Sequence, residues 1–251
     1  MFWAIFGNNE GVTQGDDRDG LRAYQVVLRH IEAGILAGTY HAGDQLAPER
    51  DLAAHLGVGR SAVREAMRVL QTQGLITSST GPGRGTRIAP AQGSALARIF
   101  QLHFALSDTG SGDLTETRVA LERSSAALAA QRATPRSLRR LDAVVEAMAA
   151  SEVVEEFNDL DTEFHVLIAR AGQKQLLADL TVAVRQAVRE AIRDASRRLA
   201  DWPGLRTQLL HEHADILAAI TAGDTAAAAT LMEAHIRGAY TTLGIAGEPR
   251  A

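Results

Sequence analysis

The stretch from Leu46 to Thr86, LAPERDLAAHLGVGRSAVREAMRVLQTQGLITSSTGPGRGT, leaves the chain little choice of local fold. Glu49 to Leu56 sets Leu52, Ala53 and Leu56 at helical spacing, which gives one apolar stripe. Gly57 can take the positive φ that ends such a helix cheaply. Ser61 to Gln71 restarts the period, with Val63, Ala66, Met67 and Leu70 turned inward, and Gly74 stops it. Leu75 to Ser79 and Thr86 to Ala89 can then pair as short strands around the turn residues 81–85. Helix, turn, helix and hairpin in that order predict a winged helix-turn-helix.

The polar face of the second helix carries the chemistry. Arg60, Ser61 and Arg64 fall in its first turn and Arg68 one turn later. A recognition helix presents its N-terminal residues to base edges in the major groove. There an arginine forks onto guanine, each pair worth about 1–3 kcal/mol of discrimination. Ser61 and the helix N-terminus suit phosphate, and Arg50, Arg84 and Arg87 are placed to grip the backbone on either side. The competing reading, a solvated basic helix in an unrelated helical domain, accounts for one arginine but not for the ordered motif.

At this point the segment resembles the N-terminal domain of the GntR family of bacterial transcription regulators, over roughly residues 21–90. LAPERDLA, GVGRSAVREAMRVL, GLI and GRGT carry the likeness. It implies operator contacts from Arg50, Arg60, Ser61 and Arg64, joined by wing residues near Gly83 to Gly85. Two positions depart from the pattern: Ala47 replaces a usual proline, and Gly59 replaces the usual Ser or Thr cap. With glycine as the replacement, loss of the cap costs only a few tenths of a kcal/mol.

A formal charge of −4 looks wrong for a DNA reader until it is divided. Residues 21–90 hold eight arginines against five acidic residues, so that segment is +3 and the remainder −7. The basic part is the part expected to meet a polyanion. The absence of cysteine excludes disulfides, thiolate zinc sites and cysteine catalysis. No apolar run approaches the roughly 18 residues of a membrane helix, and Met1 to Phe6 lacks a basic flank or cleavage pattern. A cytoplasmic protein is expected.

Leu21 to Ala37 reads as the first helix of the reader, interrupted at Gly34 and ended at Gly38. From Ala95 the composition shifts to long helical periods, expected over 95–107, 113–132, 135–150, 152–171, 174–199, 203–222 and 224–243, with starts capped by Asp113, Thr134, Ser151 and Asp224. The fold expected is mainly α, a winged helix-turn-helix joined to an all-α bundle of about seven helices. Its divisions are a disordered tail over 1–20, the reader over 21–90, a linker over 91–94, an effector-binding and dimerisation domain over 95–243, and a tail over 244–251.

Within that bundle the helix near 152–171 carries Phe157, Leu160, Phe164 and Ile168 on one face, and Asp161 and His165 share it. A carboxylate there is costly unless paired or bound to a cation. His213 lies on the inner face set by Leu209, Ile216 and Ile220, and His235 on that of Leu231 and Met232. One such histidine alone reads more simply as a satisfied core residue. Four converging groups make a one-carboxylate, three-imidazole site for a divalent ion: Zn²⁺ foremost, or Ni²⁺, Mn²⁺ or Fe²⁺.

These segments also resemble the C-terminal effector domain of the FadR-type branch of the same family, the FCD domain, through DTEFH, EHADILAAITAGD and MEAHI. The resemblance implies that Asp161, His165, His213 and His235 are metal ligands. It also implies that Arg118, in Glu116-Thr117-Arg118-Val119-Ala120-Leu121-Glu122, helps hold a carboxylate effector; the plainer alternative makes Arg118 an exposed salt-bridge partner. Gln173 stands where Asn is common. The expectation is a homodimeric regulator, a repressor, that binds a near-palindromic double-stranded operator and responds to a small carboxylate at a metal site, without enzymatic activity. Two alternatives stay open. One is a metalloenzyme fused to a DNA-binding module, although Glu163 and Glu212 project outward as bases; the other is a metal-free regulator with a larger acyl ligand.

Overall fold

The computed structural model describes residues 17–79, 81, 85–90, 93–106 and 111–245. Two compact units divide after Ala91. The expected tails over 1–16 and 246–251, the linker residues 91 and 92, and the wing residues Gly83 and Arg84 lie outside the described residues.

In the first unit α1 (Asp17–Leu36), α2 (Glu49–Leu56) and α3 (Arg60–Thr72) precede an antiparallel hairpin of β1 (Ile76–Ser78) and β2 (Thr86–Ile88), with Ile76 opposite Ile88. Their apolar stripes meet in one core of Val27, Ile31, Leu52, Val63, Leu70 and Ile76. Gly57 ends α2 at φ +65°, its N–H donating to the Ala53 and Ala54 carbonyls. The helix α1 begins at Asp17, four residues inside the stretch expected to be a tail, because acidic residues that resemble loop composition also favour a helix N-terminus. Gly34, which looks like an interruption, has a packing reason: a Cβ there would sit 2.4 Å from the Tyr40 ring.

The second unit is wholly helical among the described residues: α4 (Gly93–Leu106), α5 (Ser111–Arg132), α6 (Pro135–Ala150), α7 (Val154–Ala171), α8 (Gln175–Arg198), α9 (Trp202–Thr221) and α10 (Thr225–Thr242). Thr134 and Ser137 form a capping box at the start of α6, and the Asp224 carboxylate accepts from the Ala227 N–H at the start of α10. Ser151, expected to cap α7, instead closes α6, and α7 starts after Val153. The helix α5 packs against α7, α8, α9 and α10. Phe157, Phe164, Ile168, Ile216 and Met232 fill the core around it.

Candidate functional site

Three helices deliver the predicted polar cluster. On α7, Asp161 and His165 lie one turn apart on the face that also buries Phe157, Phe164 and Ile168. On α9, His213 falls between the buried Leu209 and Ile216, and on α10, His235 falls between Met232 and Ile236. The three imidazoles are all at most 3% exposed. One ligating atom from each of the four residues lies within 4.8 Å of all the others.

The pairwise geometry has the character of a shared centre. His165 Nε2 is 3.2 Å from His235 Nε2, His213 Nε2 is 3.1 Å from Asp161 Oδ1, and His165 Nε2 is 3.6 Å from the same oxygen. Ligands about 2.0–2.1 Å from a tetrahedral ion stand about 3.3 Å apart. The outer nitrogens are backed by carboxylates. His235 Nδ1 donates to Glu212 Oε2 at 2.8 Å, and His165 Nδ1 lies 2.5 Å from Glu122 Oε2. With Nδ1 protonated on both rings, two Nε2 lone pairs face one another across 3.2 Å, an arrangement that a cation between them relieves. Both His213 nitrogens are buried without a hydrogen-bond partner among the described residues. The donor set therefore fits a divalent ion.

The electrostatics point the same way. Burial pushes the His213 and His235 imidazoles below their ordinary value, and neighbouring imidazoles add to the shift, so both are neutral and competent as ligands. Burial works against ionisation of Asp161, but Arg185, His165 and His213 outweigh it and hold the carboxyl well below the usual range. Glu122 is likewise held ionised, with Arg118, His165 and Arg185 overcoming its burial.

Sequence reasoning passed over three participants. Glu122 on α5 is 2% exposed and shares its carboxylate between Arg118 Nε at 2.8 Å and His165. Arg185 on α8 is fully buried and bonds Asp161 Oδ2, with Nη1 3.5 Å from Glu122. The signal was present: Thr181, Arg185 and Val188 follow one buried helical stripe. Glu212, projected outward from its own helix, in fact reaches His235, because α9 and α10 pack side by side and the flank of one faces the other. Glu163 is exposed, as projected.

Arg118 is not an exposed salt-bridge partner; it is 3% exposed. Its Nε donates to Glu122 and its Nη1 to the Tyr240 hydroxyl at 2.8 Å, which leaves Nη2 outside both bonds. Beside it is a cavity of about 30 Å³ whose polar lining includes Arg118, Asn158, Asp161, Ser196, His235 and Tyr240.

In the first unit, Arg60, Ser61 and Arg64 are exposed at the start of α3. Gly59 caps that helix with extended backbone and no side-chain bond, so nothing from the cap covers its N-terminus. Arg68 is exposed and 3.5 Å from Glu65, and Arg50 is exposed beside Asp51 at 3.0 Å. Arg87 serves the fold: its guanidinium donates to the Gly43 carbonyl and to Gln45 Oε1, fastening the loop before α2 to β2. Gly85 permits that approach, since a Cβ there would lie 2.9 Å from Gln45 Nε2.

Comparison with known proteins agrees with both halves. The FCD domain matches residues 113–238, and the bacterial regulatory proteins of the gntR family match residues 23–88. The chain is 31% identical to the "Putative L-lactate dehydrogenase operon regulatory protein" of Escherichia coli K12, over 86% of this chain and 84% of that protein. It is 30% identical to the "Glc operon transcriptional activator" of the same strain, over 78% and 79%. It is also 30% identical to the "HTH-type transcriptional regulator LutR" of Bacillus subtilis 168, over 80% and 92%. Among solved structures, "Streptococcus agalactiae GntR" aligns with a TM-score of 0.61 at 28% identity, covering 86% of this chain and 98% of that one. These similar proteins are transcription regulators, not enzymes, which sets aside the metalloenzyme alternative.

Proposed function

The chain belongs to the GntR family of bacterial regulatory proteins and carries an FCD domain, and from that premise we propose that it is a homodimeric repressor whose operator binding is controlled by a small carboxylate bound at a metal site. DNA binding follows from the winged helix-turn-helix of the family. The finer reading assigns base and phosphate contacts to Arg50, Arg60, Ser61 and Arg64, with Gly83 and Arg84 of the wing. Exposure of Arg60 and Arg64 on α3 supports it. Two copies would set their recognition helices on successive half-sites of a near-palindrome. Occupying such a site is enough to obstruct transcription, with no activating surface required.

The observation that carries the sensing half is the convergence of four ligating atoms beside the cavity at Arg118. Asp161, His165, His213 and His235 would hold a divalent ion, Zn²⁺ before Ni²⁺, Mn²⁺ or Fe²⁺. The bound ion supplies a Lewis-acidic position for a carboxylate oxygen. Arg118 Nη2 offers a second, charge-assisted contact to the same carboxylate. Glu122 and Glu212 orient His165 and His235 from behind. A metal-free acyl pocket would have no use for this donor set. For the acid to act as a switch it must bind one dimer geometry better than the other.

The test is footprinting of full-length, zinc-loaded protein on its own promoter region, with and without a panel of small acids. Protection of a near-palindrome that one of the acids changes supports the proposal; binding without sequence preference contradicts it.

A further inference from the structure

We propose that a cleft where the start of α6 meets the end of α7 is a second ligand site, built for a small phosphate ester. None of the four ligating residues lines it. The cleft measures about 370 Å³, within the range of small-molecule pockets. Two helices supply its cations: Arg136 and Arg140 from α6, and Arg170 from the last turn of α7. No acidic residue is among the described residues lining it, and the buried Leu167 and Ala171 give it an apolar floor.

These arginines stand apart from the others of the unit. Outside residues 21–90 the chain carries −7, and its exposed arginines elsewhere meet carboxylates. Arg189 pairs with Asp159, Arg197 with Glu155, Arg123 with Glu233, and Arg237 with Glu116. Arg136, Arg140 and Arg170 are exposed and form no ion pair among the described residues. Two of them also sit where elementary electrostatics disfavours a cation. Arg136 lies in the first turn of α6, which holds no acidic residue, at the positive end of the helix dipole. Arg140 follows four residues later, a like-charge pair on one helix face, which is destabilising. A dianion seated between them reverses the sign of both effects.

Phosphate suits this arrangement better than a carboxylate. Three guanidinium groups reach one cleft from two helices, and a tetrahedral phosphate offers oxygens to each of those directions while carrying up to two charges. Guanidinium forks match such oxygens in bidentate fashion. The backbone phosphates of a duplex are set out along a line, whereas these cations surround a single cleft.

The experiment is a ³¹P NMR titration of ribose 5-phosphate into zinc-loaded, full-length protein at low ionic strength. It is repeated on Arg140→Gln, Arg170→Gln and, as a control, Arg198→Gln, an exposed arginine outside the cleft. The ester should bind the parent protein, lose about tenfold in affinity in each of the first two variants, and keep its affinity in the third. Succinate, a dianion without tetrahedral oxygens, should displace it about tenfold less effectively than inorganic phosphate does. Absence of binding overturns the proposal, and so does binding that Arg140→Gln and Arg170→Gln leave intact, which puts the ester elsewhere. Displacement by succinate as effective as that by phosphate overturns the choice of phosphate. If the ester fails to bind while the two variants weaken binding to a non-operator duplex, the patch belongs to DNA and the proposal falls.

Discussion

Glu122→Gln is the sharpest probe of how the cluster is held. The carboxylate is 2% exposed and serves three partners at once: Arg118 Nε at 2.8 Å, His165 Nδ1 at 2.5 Å and Arg185 Nη1 at 3.5 Å. Removing one partner of a buried charge pair costs about 3–5 kcal/mol, because the other charge stays buried and uncompensated. Glutamine has nearly the same shape, and its amide oxygen still accepts from Arg118, so the low end, about 3 kcal/mol, applies. For a unit of this size that lowers the melting temperature by about 6–12 °C. The assay is thermal unfolding followed by circular dichroism, in chelator, on Glu122→Gln, Arg118→Met and the double variant. Residues in one network are non-additive, so the double variant should recover at least about 1 kcal/mol relative to the sum of the singles. A shift below about 1 °C for Glu122→Gln, or strict additivity, would refute the network as the support of the site.

Other consequences are open to direct measurement. Arg60→Ala and Arg64→Ala should each weaken operator binding by about 1–3 kcal/mol, read by mobility shift, with the melting temperature unchanged because both side chains are exposed; loss of stability in either would contradict their placement. Glu212→Gln removes the acceptor of His235 Nδ1 and should lower zinc affinity about 10–100-fold in a competition titration with a chromophoric chelator, where an unchanged affinity would remove Glu212 from the site. Gly57→Ala imposes a Cβ at φ +65° and should cost the reader about 1–2 kcal/mol in urea unfolding, while a neutral result would place the end of α2 elsewhere.

Much of this was legible in the sequence, for identifiable reasons. Helix ends were marked by residues with one conformational use, such as Gly57 and the Thr134–Pro135 and Gly223–Asp224 pairs. Asp161 and His165 announced themselves because a carboxylate and an imidazole one turn apart on an apolar face need a reason to be there. What stayed hidden depended on neighbouring helices. A helical wheel gives the direction of Glu212 from its own axis but not that α10 lies alongside to receive it. Arg118 reads as exposed or buried until α5 is seen packed on four helices at once. Arg185 hid for a related reason: an arginine on an amphipathic helix is ordinarily taken as its wet side, whereas here the half-buried carboxylate of Asp161 and the buried one of Glu122 hold it inside.

The central claim is that three imidazoles and one carboxylate share an ion. X-ray absorption at the zinc edge of the loaded protein, compared with folded His213→Ala, tests it most directly. The account predicts a nitrogen and oxygen shell with three imidazoles in the parent protein, and one fewer with weakened zinc retention in the variant. An identical shell and identical zinc content in the two proteins would contradict it.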